Sequence, residues 1–476
     1  MFNLIINEFS KIFHKVSTYV LLGFLLFTII LMPVITIMGN VIMDKATSQI
    51  DVSTDTYDTQ IGWATESNDI LTVEMLTKAK ELSIPEKEYF SSKDTSWRSI
   101  ALQKIYYEFN YNEAAGKENY ELNTFCNSLF DSIKKDDPAS FYSAIKDNLK
   151  LIYDDKNLID MYSFIYKYRV DNKIWEGKDN WQNEAISQYE SVYPKYAENI
   201  ETNNISSSNN SSVMDSGEFE EISNMALVSK YRLENNQEYA IYLTDGSGSI
   251  LSSDKYYYSG SLYNTLKNSK LVLSVVLIII IVVAGNIISK EFSQGTIKFL
   301  LINPVSRAKI FWSKFLTVSL YSLALTLLTF LLSFIISVPL LGFRQLNTAL
   351  LLVEGEKVVR HSALMFILTK YVYGYIQIFI ALTLAFTISS LFRNSALAIT
   401  ISIIFYYVGS SICSIAQILN FDFCRYTIFA VTDFESIMNK SIDFIGMTPM
   451  FGAMVLLIHT GIFLLIGYDS FTRKNI

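Results

Sequence analysis

The chain has 476 residues, with 39 Lys and Arg against 46 Asp and Glu and a net charge of −7. Half of it is hydrophobic and only 18% is charged, below the roughly 25% of a soluble globular domain, so the composition is that of a membrane protein. The acidic balance argues against a nucleic-acid binder. Three cysteines, Cys126, Cys413 and Cys424, are too few for a disulfide framework and stand in no metal-binding spacing. No G-x-x-x-x-G-K-[ST] loop occurs, so any ATP that drives the protein must be bound by another chain.

In chain order, Phe2, Ile5, Ile6, Phe9, Ile12 and Phe13 recur at helical spacing with polar residues between them. This predicts an amphipathic elbow helix over 1–16, lying in the membrane interface. Six stretches of about 20 apolar residues follow, each long enough to cross ~30 Å of hydrocarbon. They run over 17–42, 271–288, 315–341, 371–391, 396–419 and 450–468; none contains Asp, Glu, Lys or Arg, and His459 is the one histidine inside them. The segment 43–269 is predicted to be a separate, mainly helical α+β domain, with helical spacing over 95–111 and 138–170. A polar tract over 201–218 is expected to be a flexible loop, and 239–251 reads as a strand hairpin with a D-G turn. The remaining segments read as an inner loop over 289–314, an outer loop over 342–370, an inner turn over 392–395, an outer re-entrant segment over 420–449 and a tail over 469–476.

Sidedness follows from the bases that flank the spans. Ten Lys and Arg against three acids fall on one set of short segments, whereas 44–269 carries 22 bases and 37 acids. The expected orientation places both termini in the cytoplasm and the large domain outside the cell membrane.

The segment 288–315 is the most informative. Gly295 permits a left-handed helix cap, Asn303-Pro304 stops a short helix over 296–302, and Ser306 can cap the next one. Arg307, Lys309 and Lys314 are expected at the inner leaflet, each contributing about 1 kcal/mol of attraction to anionic head groups. From Glu291 to Arg307 the sequence resembles the inner loop of ABC-2 type transporter permeases, E-F-x-x-G-T-[IL]-[KR]-x-L-L-x-x-P-[VIL]-S-R. The six-span layout agrees, as do the turn Ser389 to Ser395 and the segment Asn420 to Pro449, although most short members of that family lack so large an outer domain.

The resemblance implies an all-α polytopic membrane protein of ABC-2, type V exporter-like topology. It makes Glu291, Phe292, Gly295, Thr296, Ile297, Lys298 and Phe299 the coupling contact with a separate ATPase. It also implies two ATPase subunits, which would hold ATP and Mg2+, and a second permease chain, the same or related. This chain would then be no enzyme, and no cofactor or metal is expected in it.

Buried carboxylates or bases of the kind that ion-driven transporters use are absent from the six stretches. Tyr375, Gln377, Tyr407, Ser411 and His459 are the candidate polar groups of a translocation path, although an aromatic belt explains Tyr371, Tyr373 and Tyr375 as well. The expected function is therefore export of an amphipathic substrate, such as a peptide or bacteriocin, a lipid or a drug. The acidic outer domain is a candidate peptide receptor. The alternative is a non-transporting membrane receptor whose outer domain binds a ligand and whose inner loop recruits a signalling partner.

Overall fold

The computed structural model describes residues 2–48, 56–90, 95–109, 111, 120–205, 216–242, 262–295, 305–354, 357–392, 394, 395–419, 421–438, 444 and 446–473. The chain is mostly helical and divides into two compact units. The first contains Met1–Asn40, Ile241–Leu350 and His361–Ile476, and the second contains Val41–Ala240 and Leu351–Arg360.

The helices outside the second unit are α1 (Phe2–Phe13), α2 (Val16–Ser48, whose last turns belong to the second unit), α3 (Leu262–Asn268), α4 (Val272–Ile287) and α5 (Ser289–Ser293). They continue with α6 (Arg307–Leu341), α7 (Ala363–Leu391), α8 (Ser395–Ile418), α9 (Phe434–Met438) and α10 (Pro449–Arg473). Among the described residues six helices are long and apolar enough to cross a membrane: Val16–Gly39, Thr265–Ile287, Arg307–Leu341, Ala363–Leu391, Ser395–Ile418 and Pro449–Arg473. These match the six expected spans, with two corrections. The third helix begins at Arg307 rather than 315, and the fourth, capped by the Ser362 side chain, begins at Ala363 rather than 371. The helices therefore include Arg307, Lys309, Lys314 and Lys370, which lie outside the apolar stretches.

The core of the bundle is α4 and α7. The α4 sequence, VLSVVLIIIIVVAGNI, is apolar on every face, as a helix surrounded by others must be, and α7 buries Ile378 and the run Ile380 to Ser390. The helices α2, α8 and α10 instead leave large side chains exposed, among them Phe27, Ile404, Ile412, Leu457 and Leu465. Small residues allow the close contacts: a Cβ on Gly285 of α4 would stand 2.8 Å from Ile399 Cγ1 of α8. Two buried hydroxyls of α6 are satisfied within the helix: Thr317 Oγ1 donates to the Ser313 carbonyl and Thr329 Oγ1 to that of Leu325. The turn at 392–395 is as expected, because α7 ends at Leu391 and the Asn394 side chain caps α8 by accepting from the amides of Ala396 and Leu397.

The loop expected over 342–370 holds strands β2 (Ala349–Glu354) and β3 (Lys357–Ser362), in a sheet of order β1-β2-β3 with β1 (Ala240–Tyr242). Leu351, Leu352, Val353, Val358 and Val359 around Gly355-Glu356 are a hairpin signal that the apolar-span reading passed over. Of the hairpin expected over 239–251, β1 is seen, and the rest lies outside the described residues. The segment 420–449 contains two 3-10 turns, Asp422–Tyr426 and Ile428–Val431, before α9.

In the second unit, short helices pack around Leu102, Ile105, Phe141, Tyr142, Ile145 and Tyr166. The helix at Trp97–Gln103 runs on as a π-helical turn to Glu108, as the spacing over 95–111 predicts. The stretch 138–170 divides into Pro138–Asp147, Leu149–Ile152 and Lys156–Asn172, because the Asp155 side chain caps a new start. The ends of the polar tract 201–218 belong to helices Trp181–Ile205 and Ser216–Glu234, and the rest of it lies outside the described residues.

Substituting Gly285 by Val forces α4 and α8 apart and should cost about 1–3 kcal/mol of stability. The thermal midpoint of the purified protein in mild detergent measures this. Gly23→Ala in α2, where an added Cβ meets nothing within 4 Å, should leave the midpoint unlowered.

Candidate functional site

The site lies where α4 gives way to the motif segment. Helix α4 stops at Ile287 and α5 restarts at Ser289, and the Ser389 side chain of α7 holds this break. Ser389 Oγ accepts from the Ser289 amide at 3.0 Å and donates to the Gly285 carbonyl at 2.8 Å. Ser289 Oγ donates to the same carbonyl at 2.5 Å. Both hydroxyls thus occupy backbone groups that the broken helix leaves over.

From this anchored turn, Glu291 joins a closed ring of alternating charges. Lys314 Nζ donates to Glu291 Oε1 at 2.8 Å and to Glu8 Oε2 at 2.9 Å. Lys11 Nζ donates to Glu8 Oε1 at 2.7 Å and to Glu291 Oε1 at 3.0 Å. The Lys314 side chain is completely buried, those of Glu8 and Glu291 are 8% and 13% exposed, and that of Lys11 is 48% exposed. Two carboxylates and two ammonium groups cancel, which permits burial so close to the bundle; removing one partner would leave an uncompensated charge. The ring ties together three segments distant in sequence: α1, α5 and the start of α6.

Aromatic packing and one arginine complete the frame. The Phe292 ring meets Phe471 of α10 edge-on at 6.3 Å, and Phe311 packs against Phe386, Tyr468 and Phe471. Arg307 Nη1 donates to the Thr472 carbonyl at 2.7 Å, fixing the start of α6 to the end of α10. Gly295 has φ +70°, the left-handed turn expected of it, with nothing within 4 Å of where a Cβ would be.

The structure relocates several sequence-predicted residues. Lys314 is not a lipid contact: it is sealed inside the charge ring, because a carboxylate from α1 and one from α5 converge on it. Arg307 is half-buried against α10, and Lys309 is exposed. Of the expected coupling surface, Glu291 is held in the charge ring, Phe292 packs on Phe471 and Gly295 is exposed, whereas Thr296, Ile297, Lys298 and Phe299 lie outside the described residues. Ser306 precedes α6 in extended conformation but makes no side-chain cap.

The candidate path residues do not gather into a lined polar channel. Tyr375 OH donates to the Ser319 carbonyl at 3.5 Å, and Gln377 is half-buried. Ser411 Oγ donates to the Tyr407 carbonyl at 2.9 Å within an exposed part of α8, and His459 Nδ1 bonds the Val455 carbonyl of its own helix at 2.9 Å. Tyr371 is buried and hydrogen-bonded to Ser269 at 2.6 Å, so it is no member of an interfacial belt.

Sequence reasoning missed Glu8 and its pairing. The signal was present, since Glu8 stands three residues after Ile5 and four before Ile12, on the apolar stripe of α1.

Burial opposes the charge of Glu8, but Lys314 and Lys11 more than offset this and hold its carboxyl below the ordinary 4.5. Burial likewise opposes the charge of Lys11, and the carboxylates of Glu8 and Glu291 carry it above 10.5. Burial, then Lys290 and Lys314, lowers neighbouring Lys15, which lacks a place in the ring. The sign of the pH dependence follows. The stabilisation from Glu8 is complete above pH 4.5 and is lost as pH falls through its lowered folded value, while that from Lys11 is complete below 10.5 and is lost as pH rises through its raised one.

Two outcomes test this geometry by thermal unfolding in detergent. Lys314→Met should cost about 3–5 kcal/mol by stranding two carboxylates, while Lys309→Met should stay within about 0.5 kcal/mol of the parent. Glu8→Gln should lower the midpoint at neutral pH, and the gap to the parent should close as the medium is acidified through the folded value of Glu8.

Residues 225–476 match the family described as "Protein of unknown function (DUF2705)". Over 199 residues the chain is 32% identical to "Uncharacterized membrane protein YdbK" of Bacillus subtilis (strain 168), covering 41% of this chain and 76% of that protein. It is also 32% identical over 199 residues to "Uncharacterized protein YhcI" of the same organism, covering 41% of this chain and 63% of that protein. With six helices able to cross a bilayer, a kinship to a membrane protein and a family match over more than half its length, this chain is a multi-pass membrane protein that belongs to the DUF2705 family.

Proposed function

We propose that this chain is the membrane-spanning permease subunit of an ABC-2 type exporter, driven by a separate ATPase and moving an amphipathic substrate across a bacterial cell membrane. The observation that carries the proposal is the segment E-F-S-Q-G-T-I-K, closed by P-V-S-R, between the second and third long helices. Its first carboxylate, Glu291, is gripped by the charge ring rather than left on a loose loop.

A force applied to the segment beyond Gly295 passes through Glu291 to Lys314 of α6 and, through Lys11 and Lys314, to α1. The Ser389 anchor carries it to α7, and the Phe292 contact carries it to α10. A turn held at that many points moves as a body with its helices, which a conformational step driven from outside the membrane requires. ATP and Mg2+ would belong to the partner subunits, and a second permease chain would complete the conduit. In this reading both termini and the charge ring face the cytoplasm, and the unit built from Val41–Ala240 faces outward.

The dispersed path residues agree with a substrate recognised by apolar surface and a few hydroxyls rather than by buried charge. The acidity of the large domain favours a cationic peptide among such substrates.

Gly295→Pro separates coupling from folding. Proline cannot adopt φ +70°, yet the site is open, so the bundle should insert and keep its thermal midpoint. A pull-down of the tagged chain from its native membranes should recover a Walker-motif ATPase in about equal amount with the parent and much less with Gly295→Pro. Absence of any such ATPase from the parent pull-down, or equal recovery with the variant, contradicts the proposal.

A further inference from the structure

Beyond α8 the chain doubles back along the helix it has just left. The Phe421 amide donates to the Ala416 carbonyl at 2.8 Å, closing a tight reversal at the helix end. The 3-10 turns Asp422–Tyr426 and Ile428–Val431 follow, and the second of them returns to an earlier part of α8. There the Phe429 ring stands 5.3 Å from that of Phe405, and a Cβ on Gly409 would lie 2.2 Å from Phe429 Cε1. Residue 421 therefore meets 416 and residue 429 meets 409, an antiparallel register that advances almost residue for residue.

Midway between these two contacts the register sets Cys424 opposite Cys413. The two thiols face each other closely enough to interact, and both lie in one apolar cluster with Ala430, Phe444 and Met447. Both are free thiols, and the third cysteine, Cys126, is buried in the core of the second unit. Cys413 is only 5% exposed, whereas Cys424 is half-buried and reachable from solvent. A cavity of about 130 Å3 bordered by Ser410, Cys413, Ser414 and Ala430 leaves the Cys413 side chain room to turn.

We propose that Cys413 and Cys424 are a redox site, a dithiol that a small disulfide such as oxidised glutathione or cystine converts to an intramolecular disulfide. The more accessible Cys424, as thiolate, attacks one sulfur of the small disulfide; that S–S bond breaks, one small thiolate leaves, and a mixed disulfide forms on Cys424. The Cys413 thiolate then attacks the Cys424 sulfur and expels the second small thiolate. The two protons given up by the protein thiols pass through solvent to the two released thiolates, so the protein loses two electrons and the small disulfide gains them. The new bond staples the turn segment to α8 and restricts the chain leading into α9. In the orientation of the proposed function this end of α8 faces outward, away from the thiol pools that keep cytosolic cysteines reduced. The chemistry itself does not depend on the transport reading.

Thiol mapping of the full-length protein in mild detergent tests it. The protein is reduced, freed of reductant, incubated with oxidised or with reduced glutathione, alkylated with N-ethylmaleimide in denaturant, digested and read by mass spectrometry. The oxidised sample should contain at least about tenfold more of the peptides joined through Cys413 and Cys424 than the reduced one, with Cys126 alkylated in both. Cys413→Ser should stop at a mixed disulfide between Cys424 and glutathione, and Cys424→Ser should leave Cys413 alkylated. Oxidation should raise the thermal midpoint of the parent by a few degrees, reversibly with reductant, and should not raise that of Cys413→Ser. Cys413 and Cys424 both still alkylated in the parent after oxidised glutathione, a parent that halts at the mixed disulfide, or a bond between Cys424 of two copies would each overturn the proposal.

Discussion

The ammonium of Lys314 is buried on the third long helix, and desolvating such an ion costs several kcal/mol. Only carboxylates brought to it from elsewhere make that burial tolerable, and the fold brings two. Glu8 comes from the first helix and Glu291 from the turn after the second, more than 280 residues apart in sequence. Each is useless to Lys314 unless its own segment is correctly placed. The ion therefore acts as a geometric constraint on α1, α5 and α6 together, and Lys11 closes the ring from the exposed side.

Around this constraint the remaining contacts are of two kinds. Apolar packing among α4, α6 and α7 supplies bulk stability but little directional information, because Ile, Val and Leu faces tolerate sliding. The polar contacts remove that freedom: Ser389 at the break in α4, Arg307 at the Thr472 carbonyl, and the Glu435–Lys370 pair at the far end. Hydrogen bonds are directional and short-ranged, so each of these contacts records a fixed register between neighbouring elements.

Much of the bundle was legible in the sequence because length and apolarity are one-dimensional properties. All six long helices, the elbow helix and the turn at 392–395 follow from runs of residues and from capping residues such as Asn394. The starts of α6 and α7 did not, because hydropathy marks where hydrocarbon begins, whereas a helix continues until its backbone is stopped; Arg307 and Ala363 precede the apolar runs by about two turns. The β2–β3 hairpin was overlooked because its valines and leucines were weighed as loop between spans. The charge ring was the hardest to foresee. Lys314 reads as an ordinary juxtamembrane base, and only three-dimensional pairing distinguishes it from exposed Lys309 five residues earlier. The left-handed Gly295 needed no such information, since a glycine after a helical run states its own conformation.

Lys314 joins the turn that carries Glu291, the first helix and the third long helix at one buried ammonium. A double-mutant cycle with Glu8→Gln and Glu291→Gln, read by equilibrium unfolding in mild detergent, tests this most directly. If both carboxylates serve the same buried ammonium, the second loss strands it, and the double variant should be less stable than the sum of the single effects by more than about 1 kcal/mol. Additivity within about 0.5 kcal/mol would mean that the two carboxylates act independently, and would contradict the account.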